Sequence, residues 1–486
     1  MNIFSSKLFR GLSIFFIAAI TLFFSTYKLI ESPAVWFDEG FFEQAGMNLA
    51  LHGVWGIQTA PHVFASLETV SAGFPLLAPL ALVFKIFGVG VLQARSLMVV
   101  FIACLVGASF LLIKREAGFF VAAASALLVA TFPVLYGDGK TVIGEVPGLF
   151  YFIIYLLFLS RSFKLQKKRD IFFAGLFLGI FVTTKISFLL AGLPAALATI
   201  IVYRRHIKFG IQKIILCSAA FLSPLILWIV TQFGKTDSWS VFIDTTFRHY
   251  ETGPAGPLFV SNVIKFFTEI SPLYLLVCSL IWIVSIVIRL KKQREIPVIE
   301  TNALFFCALT VGIFLLSPGW YRYFFPAQII TFLFLPNALL QMFEFFGSAL
   351  RRHMLSLSAG IILLLAALHS YQTGFKSFVA DYYHSNRTAR MQQEFAAIDT
   401  KPTYFIYNVP EVVIFLPNIN YYQYANSHIR HAPGLDRIGD IARGVPDRVI
   451  VYGGAYKGYE QDFALYQPIE TIADRYLILA RTTKKQ

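Results

Sequence analysis

The chain has 486 residues, of which 57% are hydrophobic and only 14% are charged, against about 25% charged residues in an ordinary soluble domain. Polar residues this scarce cannot cover a water-soluble core, so the composition excludes a soluble globular protein. The net charge of +14 would fit a nucleic-acid-binding protein, but no soluble stretch carries a basic patch interleaved with aromatic residues. We therefore expect no nucleic-acid partner, and we attribute the charge to basic segments on one side of a membrane.

Long apolar runs predict an all-α polytopic membrane protein with about eleven transmembrane helices. The first run follows Lys7 and Arg10 and is not followed by a small-residue cleavage site, so we expect it to remain as the first helix rather than to act as a signal peptide. The predicted spans are residues 10–30, 91–113, 117–136, 146–160, 171–186, 187–203, 212–233, 270–289, 303–319, 324–346 and 354–371.

The basic residues predict how these helices are oriented. With the N-terminus in the cytoplasm, clusters such as Lys167–Arg169 and Lys291–Lys292 fall on the cytoplasmic side, in agreement with the positive-inside rule. Residues 31–72 contain several carboxylates but no Lys or Arg. We therefore expect a multi-pass protein of the cell (inner) membrane, surrounded by lipid, whose first outer loop covers residues 31–90.

Two further helices are predicted within this outer loop. The segment after Asp38 places Phe42, Ala45, Leu49 and Leu51 roughly along one face, which indicates an amphipathic helix. The apolar run 73–88 is interrupted by prolines and a lysine, and counting it as a span would reverse the orientation of every later helix. We interpret it as an interfacial or partly re-entrant helix on the outer face.

The character of the sequence changes after residue 371. Short runs typical of β-strands occur at Thr403–Tyr407, Arg448–Tyr452 and Arg475–Ala480, with glycine and proline between them. The chain is therefore predicted to consist of a transmembrane domain over residues 1–371 and a small extracytoplasmic α/β domain over residues 372–486.

Carboxylates occur at two places on the predicted outer face. Asp38 and Glu39 follow the first helix directly, although acidic residues there are also typical of an ordinary helix start. Asp138 lies in a Gly-Asp-Gly sequence, with Glu145 shortly after it, and such a sequence is also common in simple turns. Ionisable residues this close to lipid are costly and usually functional.

Cations also occur on this face, against the positive-inside trend. Lys185 ends an apolar helix, Arg248 and His249 lie in a later outer loop, and Arg322 is flanked by Tyr321 and Tyr323. An anionic group such as a lipid-linked phosphate would explain these cations. For Lys185, extension of the side chain to the membrane surface is an alternative explanation. Carboxylates that accept a proton and cations that stabilise a leaving phosphate together suit group transfer at the membrane surface.

At these residues the sequence resembles the GT-C superfamily of membrane glycosyltransferases. It is most similar to the branch of dolichyl-phosphate-mannose protein mannosyltransferases and bacterial aminoarabinose lipid A transferases. The motifs that carry this resemblance are WFDEG at 36–40, FG and QARS within 87–96, YGDGKTVIGEVP at 136–147, GLFLGIFVTTK at 175–185 and YRYFFPA at 321–327.

The resemblance implies a catalytic transmembrane domain that transfers a sugar, with inversion, from a polyprenyl-phosphate-linked donor to an extracytoplasmic lipid, glycan or protein acceptor. It implies Asp38 as the base, Glu39 as a neighbour that tunes or orients it, and Asp138 as the second acidic residue. The remaining implied contacts are Lys185, Arg322 and Arg248 for the donor phosphate, and Glu145, His249, Tyr321 and Tyr323 for other parts of the substrates.

Three questions stay open at the level of the sequence. The second acidic motif is not a tight pair, so either Asp138 or Glu145 is the functional partner. No cofactor is certain, although the acidic pair Asp38 and Glu39 offers the hard oxygen ligands that a divalent metal ion prefers. A transporter or flippase of a lipid-linked saccharide is the alternative function, but the chain has no internal repeat, and its charges lie at one face.

Overall fold

The computed structural model describes residues 7–206, 210–234, 254–265, 273–343, 348–417, 419–425, 437–458 and 460–482, together with a few isolated positions. Apolar helices dominate the part before residue 372. They are α1 (Lys7–Thr26), α2 (Phe37–His52), α3 (Phe74–Phe87), α4 (Val91–Ala117), α5 (Phe119–Thr131), α6 (Glu145–Leu165), α7 (Lys168–Thr184), α8 (Ile186–Tyr203), α9 (Ile211–Phe233), α10 (Ala255–Lys265), α11 (Leu273–Lys291), α12 (Val298–Leu316), α13 (Phe325–Phe343) and α14 (Ser348–Tyr371).

The predicted fold class is confirmed, and the protein is an integral multi-pass membrane protein. Among the described residues, nine helices are long and apolar enough to cross a membrane. The two remaining predicted spans form shorter helices, α5 with 13 residues and α7 with 17. The helix α3, in the segment predicted to be interfacial or re-entrant, has 14 residues. Large apolar side chains such as Phe15, Ile201 and Leu364 are exposed on the outside of the bundle, as contact with lipid requires.

A break between two helices places one lysine at the end of the bundle. Lys185 has an extended backbone, with φ of −156° and ψ of 145°, and separates α7 from α8. The segment just before α3 pairs with this break, since the amide of Gly73 donates to the carbonyl of Thr184 at 2.9 Å. A side chain at Gly73 would come within 2.1 Å of the carbonyl oxygen of Thr183, so this close approach requires glycine.

The C-terminal part contains a five-stranded mixed sheet. Its strands are β3 (Tyr404–Tyr407), β4 (Tyr421–Tyr424), β5 (Arg448–Tyr452), β6 (Tyr466–Ile472) and β7 (Tyr476–Arg481), after a hairpin of β1 (Ile57–Ala60) and β2 (Val63–Ala65) earlier in the chain. The order in the sheet is β4-β3-β5-β7-β6, and β4, β3 and β5 are parallel. The short helices α15 (Phe378–Tyr382), α16 (Arg387–Ala396), α17 (Ile438–Ala442) and α18 (Gly453–Tyr456) complete this part.

Side chains alternate across this sheet between two cores. Ile406, Ile450 and Ile478 belong to the main core that is shared with the transmembrane helices, whereas Phe405 and Val449 belong to a small separate core. One face of the sheet is therefore continuous with the membrane domain. The sequence predicted the three inner strands and missed β4 and β6, which are the edge strands. An edge strand needs less apolar sequence, and β6 contains a proline and a glutamate.

The helix α2 is enclosed on every side. Ten consecutive residues, Glu39 to Asn48, are buried, whereas the sequence predicted a single buried face. The C-terminal part covers the other side, because Gln44 donates to Gln423 at 2.8 Å and also to the hydroxyl of Tyr421. A short helical turn at Pro410–Phe415 packs against the same helix. Periodicity within residues 37–52 carries no information about a partner nearly 400 residues away.

Candidate active site

Five connections meet at one end of the helical bundle. They are the segment between α1 and α2, the first turn of α2, the segment between α5 and α6, the break at Lys185, and the turn Tyr321–Tyr323 that precedes α13. All predicted site residues that the structure describes lie here. Arg248 and His249 lie outside the described residues, so their predicted roles stay predictions.

The first carboxylate of α2, Asp38, forms an ion pair with Arg322. Asp38 lies in the first turn of the helix, and its side chain is 25% exposed, whereas that of Arg322 is 7% exposed. Aromatic rings surround the guanidinium, whose central carbon lies 4.9 Å from the ring centroid of Trp36, 4.3 Å from that of Trp320 and 5.2 Å from that of Tyr323. Such cation–π contacts hold the arginine in place while its partner stays accessible to solvent.

A second ion pair joins Lys185 to Glu145, which begins α6. Both side chains are 2% exposed. The amine of Lys185 lies 6.0 Å from the ring centroid of Tyr323, so Lys185 and Arg322 both lie beside the same aromatic ring. Glu145, one of the two candidates for the functional acidic partner, is thus engaged with a cation. Tyr321, the first residue of the turn Tyr321–Tyr323, donates its hydroxyl hydrogen to Gln328.

Asp138 is a carboxyl group close to both pairs but in neither. Within the described chain its side chain forms no ion pair, while its backbone carbonyl accepts a 2.6 Å hydrogen bond from Thr141. Burial, and then the charge of Glu145, raise the pKa of Asp138 to about 7, against the opposing effects of Arg322 and Lys185. A group that titrates near neutral pH is well suited to exchange protons with a substrate. Of the two acidic candidates here, Asp138 is the one that remains available.

Glu39 points away from this cluster. Its carboxylate accepts hydrogen bonds from Nε and Nη2 of Arg95 at 3.0 and 2.9 Å, and both side chains are 0% exposed. The amide of Val142 also donates to it, at 3.3 Å. Glu39 was predicted as the neighbour that tunes or orients Asp38, and in this arrangement its carboxylate has no exposed surface. Its position indicates that it fixes the first turn of α2.

The sequence interpretation gave Arg95 no role of its own. Its Nη1 donates to the carbonyls of Leu29, Ile30 and Pro33 at 3.0, 2.9 and 2.7 Å, so one arginine ties the end of the first helix to the start of the second. The sequence did offer a signal for this role. Arg95 is a lone charge near the start of an apolar stretch of helix, and a charge in such a place requires partners.

Two more buried ionisable residues surround this arginine. Glu43 is 0% exposed, and neither of its carboxylate oxygens has a hydrogen-bond partner among the described residues. Burial and the charge of Glu39 raise the pKa of Glu43, which favours its neutral form. Burial and the charge of Arg95 lower the pKa of Lys140 to about 7. The ammonium of Lys140 donates to the carbonyl of Tyr27 at 3.1 Å.

The acidic pair does not form the metal site that the sequence left open. Asp38 and Glu39 bind different arginines on different sides of α2. Across the part of the chain that the structure describes, no three His, Cys, Asp or Glu side chains are grouped so that they could hold a metal ion. What the cluster does offer is two accessible carboxyl groups, Asp38 and Asp138, beside two cations, Arg322 and Lys185.

Comparison with known proteins identifies this arrangement of helices. A family model described as dolichyl-phosphate-mannose-protein mannosyltransferase matches residues 75–228. The structure of ArnT from Cupriavidus metallidurans bound to undecaprenyl phosphate is similar over 97% of this chain and 98% of ArnT, with a TM-score of 0.66 and 12% identity. Comparison with curated protein sequences found no match.

A second solved structure has the same architecture. The oligosaccharyltransferase AglB from Archaeoglobus fulgidus, in complex with an inhibitory peptide and a dolichol-phosphate, is similar over 96% of this chain and 71% of AglB, with a TM-score of 0.57 and 11% identity. Likeness at such low identity establishes the fold. The predicted resemblance is confirmed: the chain has the GT-C fold and resembles the glycosyltransferases of the protein-mannosyltransferase and ArnT branch.

Proposed function

We propose that this protein is an inverting glycosyltransferase that moves a sugar from a polyprenyl-phosphate-linked donor to an extracytoplasmic acceptor. The observation that carries the proposal is the convergence of Asp38, Asp138, Lys185 and Arg322 at one end of the bundle. ArnT, whose fold the chain shares, binds undecaprenyl phosphate, which supports a lipid-phosphate donor. The basic residues of the sequence support a cytoplasmic N-terminus and an active site on the opposite side.

In the proposed reaction, Asp38 is the base. The acceptor hydroxyl or amine loses its proton to the carboxylate as its lone pair attacks the anomeric carbon of the donor sugar. The bond between that carbon and the phosphate oxygen breaks, and its electron pair stays on the phosphate. One direct displacement inverts the configuration. Asp38 is the accessible carboxylate of α2, with 25% of its side chain exposed, whereas Glu39 has none.

The two cations stabilise the leaving group. Arg322 and Lys185 are 7% and 2% exposed, so their charges act in a poorly solvated space where they interact strongly with an anion. A lipid phosphate is a good leaving group that needs no proton once its charge is balanced. In this proposal, Asp138, Tyr321 and Tyr323 contact hydroxyl groups of the sugar or of the acceptor.

The proposal is tested with purified protein in lipid, a panel of radiolabelled polyprenyl-phosphate sugars and an extract of native acceptors. We expect wild-type protein to release polyprenyl phosphate from one donor, and Asp38→Asn to lower the rate by about 10²- to 10⁴-fold because the base is lost. Asp474→Asn is the matched control, since its side chain is 81% exposed in the C-terminal part. Its rate should equal that of wild type.

Two results would contradict the proposal. Full activity of a folded Asp38→Asn variant would remove Asp38 as the base. Failure of the wild-type protein to release polyprenyl phosphate from any donor, while it moves a lipid-linked saccharide across the bilayer, would favour a transporter or flippase.

A further inference from the structure

The proposed base and one proposed phosphate-binding cation neutralise each other in this structure. Asp38 forms an ion pair with Arg322. A carboxylate that is engaged with a guanidinium is not free to contact the hydroxyl or amine of an acceptor. An arginine that already holds a carboxylate also has less charge to offer a phosphate. While this ion pair is in place, neither side chain is free for its step in the proposed reaction.

The contacts of Arg322 leave room for a change of partner. Its Nε is buried and has no hydrogen-bond partner among the described residues, and Nη2 makes only a long 3.4 Å contact with the hydroxyl of Tyr323. The guanidinium of Arg95, by contrast, has all three nitrogens engaged with Glu39 or backbone carbonyls. Among the described residues, Arg322 thus has one nitrogen without a partner and one with a long contact, whereas every guanidinium nitrogen of Arg95 donates a hydrogen bond of 3.0 Å or less.

The aromatic rings around Arg322 allow such a change without loss of position. Trp36, Trp320 and Tyr323 contact the guanidinium through their faces, and cation–π attraction depends little on rotation of the cation in the plane of a ring. Phosphate accepts two parallel hydrogen bonds from an arginine, as a carboxylate does, and it offers further oxygens for the unused Nε. A phosphate can therefore replace Asp38 on Arg322.

We propose that Arg322 is a donor-operated latch: it holds Asp38 in an ion pair until the phosphate of the lipid donor takes the place of that carboxylate, so that the donor must bind before the acceptor is deprotonated. This inference rests on the proposed function. Only the partner of the arginine changes, and no covalent bond is made or broken. Once phosphate occupies Arg322, the carboxylate of Asp38 is free to contact the acceptor and to accept its proton.

If Arg322 acts as this latch, replacing Asp38 should strengthen the binding of lipid phosphate, whereas replacing an ordinary substrate-binding residue weakens binding. Removing the charge of Asp38 leaves Arg322 free for phosphate, so Asp38→Asn should bind undecaprenyl phosphate more tightly than wild-type protein, on the order of tenfold. Arg322→Gln should bind it more weakly. In the double variant, Asp38→Asn should no longer tighten binding, because the arginine that it releases is absent. Equilibrium binding of fluorescent undecaprenyl phosphate to protein in nanodiscs measures all four affinities.

Asp138→Asn is the matched control for plain charge repulsion. Asp138 lies close enough for Arg322 to act on its charge, but it forms no ion pair among the described residues. Its replacement should change the affinity equally with and without Arg322. The latch is refuted if Asp38→Asn fails to tighten binding, or if the tightening persists undiminished in the Arg322→Gln background.

A readout on wild-type protein keeps the test decisive if Asp38→Asn does not fold. Trp36 and Trp320 contact the guanidinium, so exchange of its partner should shift their fluorescence as undecaprenyl phosphate saturates the site. Absence of a shift at saturation overturns the latch. If undecaprenyl phosphate binds to no variant, including wild type, the proposed donor class fails and the latch fails with it. If wild type binds it and transfers sugar but the four affinities are additive, only the latch fails.

Discussion

Two neighbouring carboxylates at the start of α2 form two ion pairs of opposite character. Glu39 and Arg95 are both 0% exposed, and every guanidinium nitrogen of that arginine donates a hydrogen bond. Asp38 is 25% exposed, and the Nε of its partner Arg322 has no hydrogen-bond partner in the part of the chain that the structure describes. The side chains of consecutive residues of an α-helix point about 100° apart. One helical turn can therefore hold both a buried structural ion pair and an accessible carboxylate.

The difference shows why charge and position in the sequence do not assign a role. The motif WFDEG presents its two acids as equivalents, and only the elements that they meet distinguish them. Glu39 meets the start of α4, where a buried arginine needs a permanent counter-ion. Asp38 pairs with Arg322 in the short turn before α13, close to Asp138 and Lys185. We therefore expect the first pair to control stability and the second to control reaction.

The largest effect should come from breaking the buried pair. Arg95→Met leaves Glu39 as an uncompensated buried charge, which should lower the free energy of unfolding by about 3–5 kcal/mol. Thermal unfolding in detergent measures the loss. Arg390→Met is the control, because Arg390 forms ion pairs at the surface of the C-terminal part, and it should leave the unfolding temperature unchanged. Equal melting of Arg95→Met and wild type would disprove a structural role for this pair.

The second largest effect should come from the contact that joins α2 to the C-terminal part. A side chain at Gly40 would lie 2.4 Å from both the amide nitrogen and the Cα of Glu411, and backbone atoms cannot yield as a flexible side chain can. Gly40→Val should therefore cost about 1–3 kcal/mol. It should also lower the transfer rate, because Gly40 shares its helical turn with Asp38. Gly11→Ala is the control, since a side chain there meets nothing within 4 Å.

These examples also show how far the sequence could predict the molecule. Long apolar runs and basic clusters were enough for the helices, because lipid requires helices whose hydrogen bonds are satisfied internally. Polar residues against that background then indicated Asp38, Asp138, Lys185 and Arg322, which do converge. Their pairing was not predictable, since Arg322 and Asp38 are 284 positions apart. The packing of the C-terminal part against Gly40 could not be predicted from the sequence either, because Glu411 is also distant along the chain.

A smaller effect should come from the ion pair between Lys185 and Glu145, and it should show whether this pair supports the fold or the reaction. It is almost as buried as the pair of Glu39 and Arg95, with 2% exposure against 0%, yet it lies beside Tyr323, which also contacts Arg322. If it belongs with the reaction, Lys185→Ala should raise the KM for the donor roughly tenfold while the KM for the acceptor changes little. Steady-state titration of each substrate measures both. A defect confined to the acceptor would contradict the assignment of Lys185 to the donor phosphate.

Asp138, the carboxyl group outside both ion pairs, should give the smallest effect, visible as a pH dependence of stability. Its pKa rises from an ordinary 3.8 to about 7 in the folded protein, chiefly through burial and the charge of Glu145. Between these values the folded state binds more protons than the unfolded state, so this group makes the protein less stable as the pH rises from 4 to 7.

The variant Asp138→Asn isolates that contribution, because it removes the titrating carboxyl group and replaces it with a neutral side chain of nearly the same size. Relative to this variant, wild-type protein should lose roughly 1 kcal/mol between pH 4 and pH 8, which is less than the full shift implies because Asp138 is partly exposed. Thermal melts across this range measure the difference. A wild-type protein that instead gains stability with rising pH, relative to Asp138→Asn, would mean that a cation dominates this carboxyl group. Asp138 would then belong with the ion-paired acids rather than with the groups available to a substrate.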